Sequence, residues 1–477
     1  MSILPISFPR FEQSYARLPE TLFDFCRPVA VSDPRCVVWN SALAKELGLE
    51  AWADAPSVWS GNELPGGITP LAQAYAGHQF GQFTMLGDGR AHLLGERVLE
   101  DGRMMDVQLK GSGRTVFSRG GDGRAALEPM LREYLISEAM HALGIPTTRS
   151  LAVVTTGERV QRDRPLPGAI LTRVAASHLR VGTFQYAAGC DEPGVLASLI
   201  GYAIERHVPE AADAENPALA LLEDVVEKQA HLLARWMHVG FVHGVMNTDN
   251  MALSGETIDY GPCAFLDVYD PETVFSSIDR GGRYAYGNQP SIALWNLSRF
   301  AETQLTALDP DPEKAVERAE AVLYGFEGRF KQHWLNGMRA KLGLFTAEEP
   351  DETLVQDLLE FLYREELDYT AFFAGLDPEN ANTGVDPQWY SAWRARLADQ
   401  PQSFAEVRER MRRANPRVIP RNHLVEAALN AAGEGDMAPF HALLAVLQDP
   451  CSLENIPEKY TRGPSADFGP YVTYCGT

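Results

Sequence analysis

The sequence predicts an α+β fold, in which strands and helices occupy different parts of the chain. Between residues 77 and 175, short alternating apolar runs are separated by glycine-rich turns, which is typical of antiparallel strands. From about residue 176 onward, apolar side chains recur mostly at helical spacing. Because the strands are grouped before the helices and do not alternate with them, a doubly wound sheet is not expected.

Most of the predicted strands lie in the first 175 residues. Residues 1–70 are rich in proline and aromatic side chains and predict an ordered extension with short helices, such as NSALAKELGL. The runs AHLLGERV and MMDVQLK then predict two strands, and the Gly-Asp-Gly and Glu-Asp-Gly triplets beside them predict tight hairpins. Two further strands are predicted for SLAVVTTGERV and GAILTRVA.

A single helix interrupts these strands, and helices dominate the rest of the chain. Leu127, Leu131 and Tyr134 recur at helical spacing, and Gly144 with Pro146 predicts the end of this first helix. Two long amphipathic helices are then predicted for LASLIGYAIERHV and LLEDVVEKQAHLLARWMHVG. From IALWNLSRF to about residue 450 almost everything is predicted to be helical, before an irregular tail rich in proline and glycine.

The composition is that of a globular protein and excludes several partners. Of the 477 residues 45% are apolar, and the net charge of −22 argues against nucleic acid or an anionic membrane as partner. The six cysteines are scattered without a Cys-x-x-Cys pair, which indicates a reducing compartment and no zinc site. Since neither a signal peptide nor a membrane span is recognisable, we expect a cytoplasmic protein.

Lys110 and Glu133 are the first candidate pair for chemistry. Lys110 ends the predicted strand MMDVQLK, and Glu133 lies on the helix that comes next. In kinases a strand lysine holds nucleotide phosphates and a helix glutamate orients that lysine. Taken alone, the two residues also fit a solvated strand end and a helix surface.

Two Gly-Asp-Gly-Arg segments could bring backbone N–H groups to a phosphate. Gly87, Gly89 and Arg90 lie at a predicted hairpin, where glycines allow a close approach of the backbone to an anion. Asp122 and Gly123 open the predicted helix, whose N-terminal dipole favours an anion. Each segment alone is also simply a good turn or helix cap.

Arg173 and Arg180 are candidates for holding a polyphosphate. Both lie in LTRVAASHLRVGTF, near the end of a predicted strand. Two guanidinium groups can clamp phosphate oxygens through paired hydrogen bonds. Ordinary surface salt bridges remain an equal alternative.

The segment HGVMNTDNM, with the Asp-Tyr-Gly triplet after it, has the outline of a phosphotransferase catalytic loop and its metal-binding triplet. Asn250 and Asp259 suit an octahedral Mg²⁺ that also binds phosphate oxygens, although both also fit ordinary turns. The position of the catalytic aspartate of kinases holds Val245. Asp249 is therefore the nearest carboxylate that could accept a hydroxyl proton, and His243 is expected to be structural.

The order of these parts along the chain follows the protein-kinase layout, and it predicts a two-lobed fold of that kind. A glycine-rich hairpin, a strand lysine, a helix glutamate, a catalytic-type loop and an Asp-x-Gly triplet occur in the same sequence. We therefore expect four parts: an N-terminal extension (1–70), a nucleotide-binding lobe (71–175), a lobe with the catalytic and metal loops (176–300), and a helical extension with the tail (301–477).

Longer motifs resemble one family over nearly the whole chain. YAGHQFGQFTMLGDGRAHLLGE, VQLKGSGRTVFSRGGDGRAALEPMLREYLISEAMHALGIPTTR, HGVMNTDNM, TIDYGPCAFLD and YAYGNQPSIALWNL are similar to the selenoprotein O family. The resemblance implies a kinase-like fold that binds ATP in a flipped orientation. It implies transfer of AMP, and not of phosphate, to Ser, Thr or Tyr hydroxyls of proteins, with self-modification included.

The resemblance also implies a role for each candidate. Lys110, supported by Glu133, contacts the phosphates, and Arg173 with Arg180 holds the inward γ-phosphate. The residues implied to line the nucleotide are Gly87, Gly89, Arg90, Asp122 and Gly123. Asn250 and Asp259 are implied to bind Mg²⁺ or Mn²⁺, and Asp259 also to contact the nucleotide; Asp249 is implied to accept the proton. A flipped nucleotide explains Val245, because a base placed for γ-phosphate transfer would then face the wrong phosphorus.

The tail carries one further expectation from the resemblance. Some family members have a selenocysteine near the C-terminus, and this chain has Cys475 at that place. The resemblance implies a regulatory disulfide from this tail, with Cys263 as the candidate partner. Simple packing of Cys263 in the core is the alternative that we favour.

Two other functions remain open. A conventional kinase could use Asp249 in place of the missing base, although Val245 argues against it. A nucleotide-binding scaffold without catalysis would not need the two metal ligands and Asp249. We expect a monomer in every case, and both ATP and UTP stay open as nucleotide donors.

Overall fold

The computed structural model of the protein describes residues 8–380, 384–452, 454 and 456–473. It combines helices and antiparallel sheets, which confirms the predicted α+β class. Most strands precede residue 176, and most helices come after it. Cys475 lies outside the described residues, so its expected pairing stays a prediction.

The strands of the described residues are β1 (Phe23–Phe25), β2 (Arg35–Trp39), β3 (Leu71–Gln73), β4 (Ala76–Gln79), β5 (Gln82–Met85), β6 (Ala91–Val98), β7 (Met104–Lys110), β8 (Ala125–Ala126), β9 (Arg149–Gln161), β10 (Pro165–Ala175), β11 (Phe241–Val242) and β12 (Ala264–Phe265). The runs AHLLGERV and MMDVQLK are β6 and β7, residue for residue. The other two predicted strands are β9 and β10, each slightly longer than expected.

The helices of the same residues are α1 (Ser41–Leu47), α2 (Pro56–Trp59), α3 (Leu127–Ala142), α4 (Val181–Ala188), α5 (Val195–His207), α6 (Pro217–His238), α7 (Gln289–Leu308), α8 (Pro312–Lys341), α9 (Asp351–Arg364), α10 (Tyr369–Gly375), α11 (Pro387–Ala398), α12 (Phe404–Ala414), α13 (Asn422–Gly433) and α14 (Ala438–Leu447). The predicted interrupting helix is α3, and the two predicted amphipathic helices are α5 and α6. None of the helices in the described part of the chain has the length and apolar character needed to cross a bilayer.

One large antiparallel sheet supports the site. Its strands follow the order β1-β3-β6-β7-β10-β9-β2, and β8 pairs with β10. In the register of β7 and β10, Arg173 lies opposite Gln108, and Lys110 comes two residues after Gln108. Because side chains alternate between the faces of a strand, Lys110 and Arg173 point to the same face. Helix α3 packs on β9 and β10 and brings Glu133 to that face.

The N-terminal extension contains strands that the sequence did not predict. Helices α1 and α2 match the expected short helices, but β1 and β2 also form there. Strand β1 pairs with β3 and β2 pairs with β9, so residues 23–39 provide both edge strands of the large sheet. The sequence did not predict β1 because this strand has only three residues and lies in a segment rich in proline and aromatic side chains.

The prediction of a hairpin turn at Gly87–Arg90 is wrong. Strand β5 pairs with β4, in a separate two-stranded sheet, while β6 belongs to the large sheet. The connection at Gly87–Arg90 therefore passes from one sheet to another. The tight turn of this region lies at Phe80 and Gly81, with φ angles of 51° and 85°. By contrast, the Glu-Asp-Gly triplet does join β6 to β7.

The helical half surrounds the site from the other side. Helix α6 packs against α7 and α8, and α13 and α14 pack against α3. Strands β11 and β12 pair after the end of α6. The loops that contain Asp249 and Asp259 lie between these two strands in the sequence. A second apolar cluster joins α8 to α9–α12 and builds the helical extension.

Candidate active site

A cleft of about 1440 Å³ lies between the large sheet and the helical half. All twelve site residues predicted from the sequence line it. They are Gly87, Gly89, Arg90, Lys110, Asp122, Gly123, Glu133, Arg173, Arg180, Asp249, Asn250 and Asp259. The structure therefore brings together residues that are up to 172 positions apart (Gly87 to Asp259) in the chain.

Three cations converge on the carboxylate of Asp259. Lys110 Nζ lies 2.5 Å and Arg173 Nη1 lies 2.6 Å from its Oδ1 atom, and Arg180 Nη1 lies 2.8 Å from Oδ2. Glu133 shares two of these cations, at 2.6 Å from Lys110 and 3.3 Å from Arg173. The three cations are 7%, 2% and 3% exposed, so this positive cluster lies at the buried side of the cleft.

The positive cluster changes the acidity of Asp259. Burial alone would raise the pKa of this carboxyl, but Lys110, Arg173 and Arg180 outweigh burial and hold its pKa well below the ordinary value. The backbone of Asp259 has a φ of 65°, which is uncommon for a residue with a side chain. Such strain is retained where the surroundings fix the residue, and three ion pairs provide that constraint here.

Asp249 is a second carboxylate in the cleft, with different surroundings. It lies in a short 3₁₀ turn, Thr248–Asn250, and its Oδ1 atom has no hydrogen-bond partner among the described residues. Burial raises its pKa to about 6, although nearby Arg180 counteracts this rise. A carboxylate with a pKa near 6 and a free buried oxygen is suited to accept a proton near neutral pH.

Asn250 lies beside Asp249 and is oriented by the loop itself. Its side-chain N–H donates to the carbonyl of Val245 at 2.9 Å, which fixes the side-chain amide and leaves its oxygen for another partner. Carboxylate and amide oxygens are the ligands preferred by Mg²⁺ and Mn²⁺. Asn250 and Asp259 supply one oxygen donor of each kind and are therefore the residues that could hold a hard divalent cation.

Val245 and His243 behave as the sequence indicated. Val245 is 8% exposed and belongs to the main apolar cluster, while also touching the cleft. His243 is fully buried, and its Nε2 atom lies 2.9 Å from the carbonyl oxygen of Ile258. Burial lowers the pKa of His243, so the neutral ring serves to connect the two functional loops.

Gly87 and Gly89 lie in the connection between the two sheets. Because neither has a side chain, the loop that contains Phe117 can pack closely against them. A Cβ atom on Gly87 would overlap the ring of Phe117, and one on Gly89 would lie 2.8 Å from the Phe117 carbonyl. The hydroxyl of Thr115 donates to the Asp88 carbonyl at 2.7 Å. The glycines therefore serve packing between two parts of the cleft wall as well as exposing backbone N–H groups.

Asp122 and Gly123 line the cleft, but the prediction that they open the helix is wrong, because β8 follows them and α3 begins only at Leu127. Asp122 is exposed, pairs with Arg162 at 2.8 Å and accepts the N–H of Arg124 at 3.0 Å. Gly123 has a φ of 69° and contacts the backbone of Gly113 where a side chain would not fit. Asp122 is thus paired with Arg162, and not with any of the three cations that surround Asp259.

Two cleft residues have roles that the sequence did not reveal. The ring of Tyr75 lies under the guanidinium of Arg180, with 4.6 Å from Cζ to the ring centre. Asp88 accepts hydrogen bonds from Gln73 N at 3.2 Å and Gln108 Nε2 at 3.0 Å, and burial raises its pKa to about 6. Asp88 belongs to a Gly-Asp-Gly triplet and was interpreted only as a turn residue, and Tyr75 had no local signal.

Cys263 is buried and unpaired among the described residues. Burial raises the pKa of its thiol to about 11, despite the nearby Arg132. A protonated, enclosed thiol agrees with packing in the core, which was the favoured alternative.

A buried cluster of cations beside a carboxylate–amide pair and a second carboxylate is the arrangement expected of enzymes that transfer phosphoryl or nucleotidyl groups. The family model described as "Protein adenylyltransferase SelO" matches residues 6–448. The chain therefore belongs to the SelO family, which confirms the resemblance.

Full-length relatives agree with this assignment. The protein nucleotidyltransferase YdiU of Anoxybacillus flavithermus is 58% identical over 474 residues, which cover 98% of this chain and 99% of that protein. The proteins of the same name from Shouchella clausii and Geobacillus kaustophilus are each 56% identical, over 98% of this chain and 98% and 99% of their own lengths. These names agree with the predicted class of enzyme.

Proposed function

We propose that this protein is an adenylyltransferase that transfers AMP from ATP to Ser, Thr or Tyr hydroxyls of proteins, itself included, and releases pyrophosphate. The observation that carries the proposal is the depth of the cations. Lys110, Arg173 and Arg180 are all nearly buried, so the most negative part of ATP would lie innermost. The nucleoside then lies nearer the mouth, and the α-phosphorus faces the acceptor.

Binding of ATP would exchange partners within the buried cluster. In the structure, Asp259 is the anion that all three cations share. The β- and γ-phosphates carry more charge and would become the partners of Lys110, Arg173 and Arg180. This exchange frees the oxygens of Asp259, which with Asn250 would hold Mg²⁺ or Mn²⁺. The metal supplies positive charge that neutralises the departing pyrophosphate.

Asp249 would accept the proton of the attacking hydroxyl. The acceptor oxygen forms a bond to the α-phosphorus, and the bond from that phosphorus to the bridging oxygen of pyrophosphate breaks. The hydroxyl proton moves to the carboxylate of Asp249, which lines the cleft. Its pKa of about 6 leaves Asp249 ionised, and thus able to act as a base, at neutral pH.

The proposal includes a protein-kinase-like arrangement of two lobes. Residues 71–175 provide Lys110 and Glu133 as the nucleotide-binding lobe, and residues 176–300 provide the catalytic and metal loops. Residues 1–70 and 301–477 are extensions, of which the first completes the large sheet. In this proposal the protein acts as a cytoplasmic monomer.

Labelled ATP separates this function from its alternatives. With α-labelled ATP and Mg²⁺ or Mn²⁺, we expect label on protein and pyrophosphate as the second product; γ-labelled ATP should leave protein unlabelled. Label from the γ position alone, with ADP as product, would show a conventional kinase. Tight binding of ATP without any product after long incubation would show a non-catalytic scaffold.

A further inference from the structure

The hairpin of β4 and β5 has an edge that no other described strand covers. Strand β4 pairs with β5, and β5 has no second partner within the described residues. Phe83 and Met85 on β5 are 52% and 49% exposed. The strand sequence QFTM lacks the lysine or proline that commonly protects a free edge from pairing.

The turn geometry shows which backbone groups face outward. Phe80 and Gly81 form a two-residue turn with positive φ at both positions, as in a type I′ turn. Gln79 and Gln82 flank this turn and form its hydrogen-bonded pair, and bonded pairs alternate along the hairpin. The N–H and C=O groups of Phe83 and Met85 therefore point away from β4. They are free to pair with another extended chain.

This hairpin is attached directly to the loop that carries Asp249. The N–H of His78 donates to Thr248 Oγ1 at 2.7 Å, and the N–H of Phe80 donates to Asn247 Oδ1 at 3.1 Å. On the same strand, Gly77 faces Asp249 so closely that a Cβ atom would overlap the carboxylate. Both strands of the hairpin, β4 and β5, would thus lie between a chain bound to the free edge of β5 and the loop of the proposed proton acceptor.

A basic and aromatic surface borders the same hairpin. The guanidinium of Arg283 lies 4.9 Å from the ring centre of Trp295 and contacts the turn at Gly81. Trp295 in turn contacts the ring of His78. No described carboxylate lies within ion-pair distance of Arg283, whereas the neighbouring Arg299 is paired with Glu302 at 2.5 Å.

The charge of this surface indicates what it binds. The chain as a whole carries a net charge of −22, but the charge of Arg283 beside this hairpin is not neutralised by a described carboxylate. Such a group favours acidic partners and disfavours basic ones. The stacking of Arg283 on Trp295 also gives a firm, flat contact for an aliphatic or aromatic side chain.

We propose that the free edge of β5 binds an extended segment of the protein substrate, with an acidic side chain of that segment next to Arg283. The segment adds a strand to the hairpin, as in other recognition by β-strand addition, and Phe83 and Met85 contact its alternate side chains. The turn of the same hairpin lines the cleft through Gln79 and Phe80, so a Ser, Thr or Tyr beyond the paired part of the segment enters the cleft at this turn. This inference rests on the proposed adenylyltransferase function and specifies which acceptors are used.

Synthetic peptides test the acceptor preference with the full chain, α-labelled ATP and metal. One short peptide carries a single threonine flanked by aspartates, and its partner carries lysines at the same positions. We expect at least about fivefold higher kcat/KM for the acidic peptide, as for a close charge pair at a partly exposed site. Methylation of alternate backbone nitrogens in the acidic peptide should remove this advantage, because it blocks pairing with β5.

Two variants test the protein side of the same contact. Arg283→Glu should raise KM for the acidic peptide by about tenfold, because it places like charges together. Met85→Lys, which protects the edge, should raise KM for both peptides. For both variants the affinity for ATP should stay as in the unaltered protein, since neither residue lines the cleft. Lys314→Glu is the matched control, because it makes the same change of charge at an exposed position on α8.

The outcomes separate this inference from the proposed function. If α-labelled ATP labels neither peptide nor the protein itself, the adenylyltransferase proposal fails, and this inference fails with it. If label appears but is insensitive to peptide charge, backbone methylation and Arg283→Glu, only the docking inference fails. If the protein is a dimer that Met85→Lys converts to monomer, the edge is occupied by a second copy, and the inference is likewise overturned.

Discussion

The Cα atom of Gly77 faces the carboxylate of Asp249, and a Cβ atom at this position would overlap its Oδ1. We therefore expect Gly77→Ala to displace the proposed proton acceptor. The rate of AMP transfer should fall about 100-fold, as for other small misplacements of a catalytic group. Binding of ATP should change less than the rate of transfer, because Arg180 contacts Asp249 at its backbone carbonyl oxygen, whereas Lys110 and Arg173 pair with Asp259. Transfer at saturating ATP, together with equilibrium binding of ATP, measures both effects.

Gly201→Ala is the matched control for this substitution. Gly201 lies within α5, and no atom lies within 4 Å of the position that its Cβ would occupy. The same added methyl group should stabilise the protein by up to about 1 kcal/mol and leave transfer unchanged. Equal loss of activity in both variants would contradict a specific role for Gly77.

Asp259→Asn should separate binding of the metal from binding of phosphate. The substitution removes a metal ligand, so metal-dependent labelling should disappear. It also removes the anion that competes with phosphate for three cations, so inorganic triphosphate in EDTA should bind about tenfold or more tightly. Without ligand the protein should lose about 3 kcal/mol of stability, because buried cations lose their partner. Calorimetric titration and chemical unfolding measure these two effects.

The control for Asp259→Asn is Asp224→Asn, which removes a carboxylate paired with Lys228 on α6. Neither residue lines the cleft, so triphosphate affinity should be unchanged. Weaker binding of metal-free triphosphate to Asp259→Asn would show that Asp259 does not compete with phosphate for the cations.

Glu256 should give the protein a distinctive dependence of stability on pH. Burial raises its pKa from 4.5 to about 7, although Ser254 and the N–H of Ala176 each donate to its carboxylate. A raised pKa means that the folded state binds the proton more tightly. The contribution of Glu256 to the free energy of unfolding therefore falls as pH rises from about 4.5 to about 7.

Glu256→Gln should remove that contribution. The difference in free energy of unfolding between the variant and the unaltered protein should shift in favour of the variant across this pH range and then stay level. Urea unfolding at several pH values, with Glu215→Gln as an exposed control, provides the comparison. A difference that does not vary with pH would show that Glu256 titrates normally.

Val245→Asp tests the orientation of the nucleotide. The substitution restores a carboxylate at the position of the kinase catalytic base. If the γ-phosphate lies inward, this carboxylate faces the wrong phosphorus, and γ-labelled ATP should still leave protein unlabelled. Because Val245 is buried, the variant should also lose about 2 kcal/mol of stability. Val245→Asn provides the matched polar control, and γ-label on the Asp variant alone would contradict the flipped orientation.

Sequence alone was sufficient where local patterns determine structure. Strands β6 and β7 match their predictions residue for residue, because apolar runs between turn triplets define both ends. The twelve site residues were predicted from the order of the motifs along the chain, and all of them line one cleft. That information came from motif order and resemblance, since each pair also fitted an ordinary structural role.

The sequence was insufficient where contacts between distant parts of the chain determine the structure. Strand β1 has three residues, and its pairing with β3 depends on contacts about 50 positions away. The Gly-Asp-Gly segment at Gly87 has the composition of a hairpin turn, but β5 pairs with β4 instead of β6. The sharing of Asp259 by three cations also depends on tertiary structure, because Lys110 and Asp259 are 149 positions apart.

The edge strands β1 and β2 have a consequence for how the protein is made. Strand β2 pairs with β9, whose residues are synthesised more than 100 positions after those of β2. Contacts of such long sequence separation form slowly, because a large loop must close first. Strand β2 can therefore pair only after β9 has been synthesised, and this edge of the large sheet forms later than the edge at β1, whose partner β3 lies about 50 positions away.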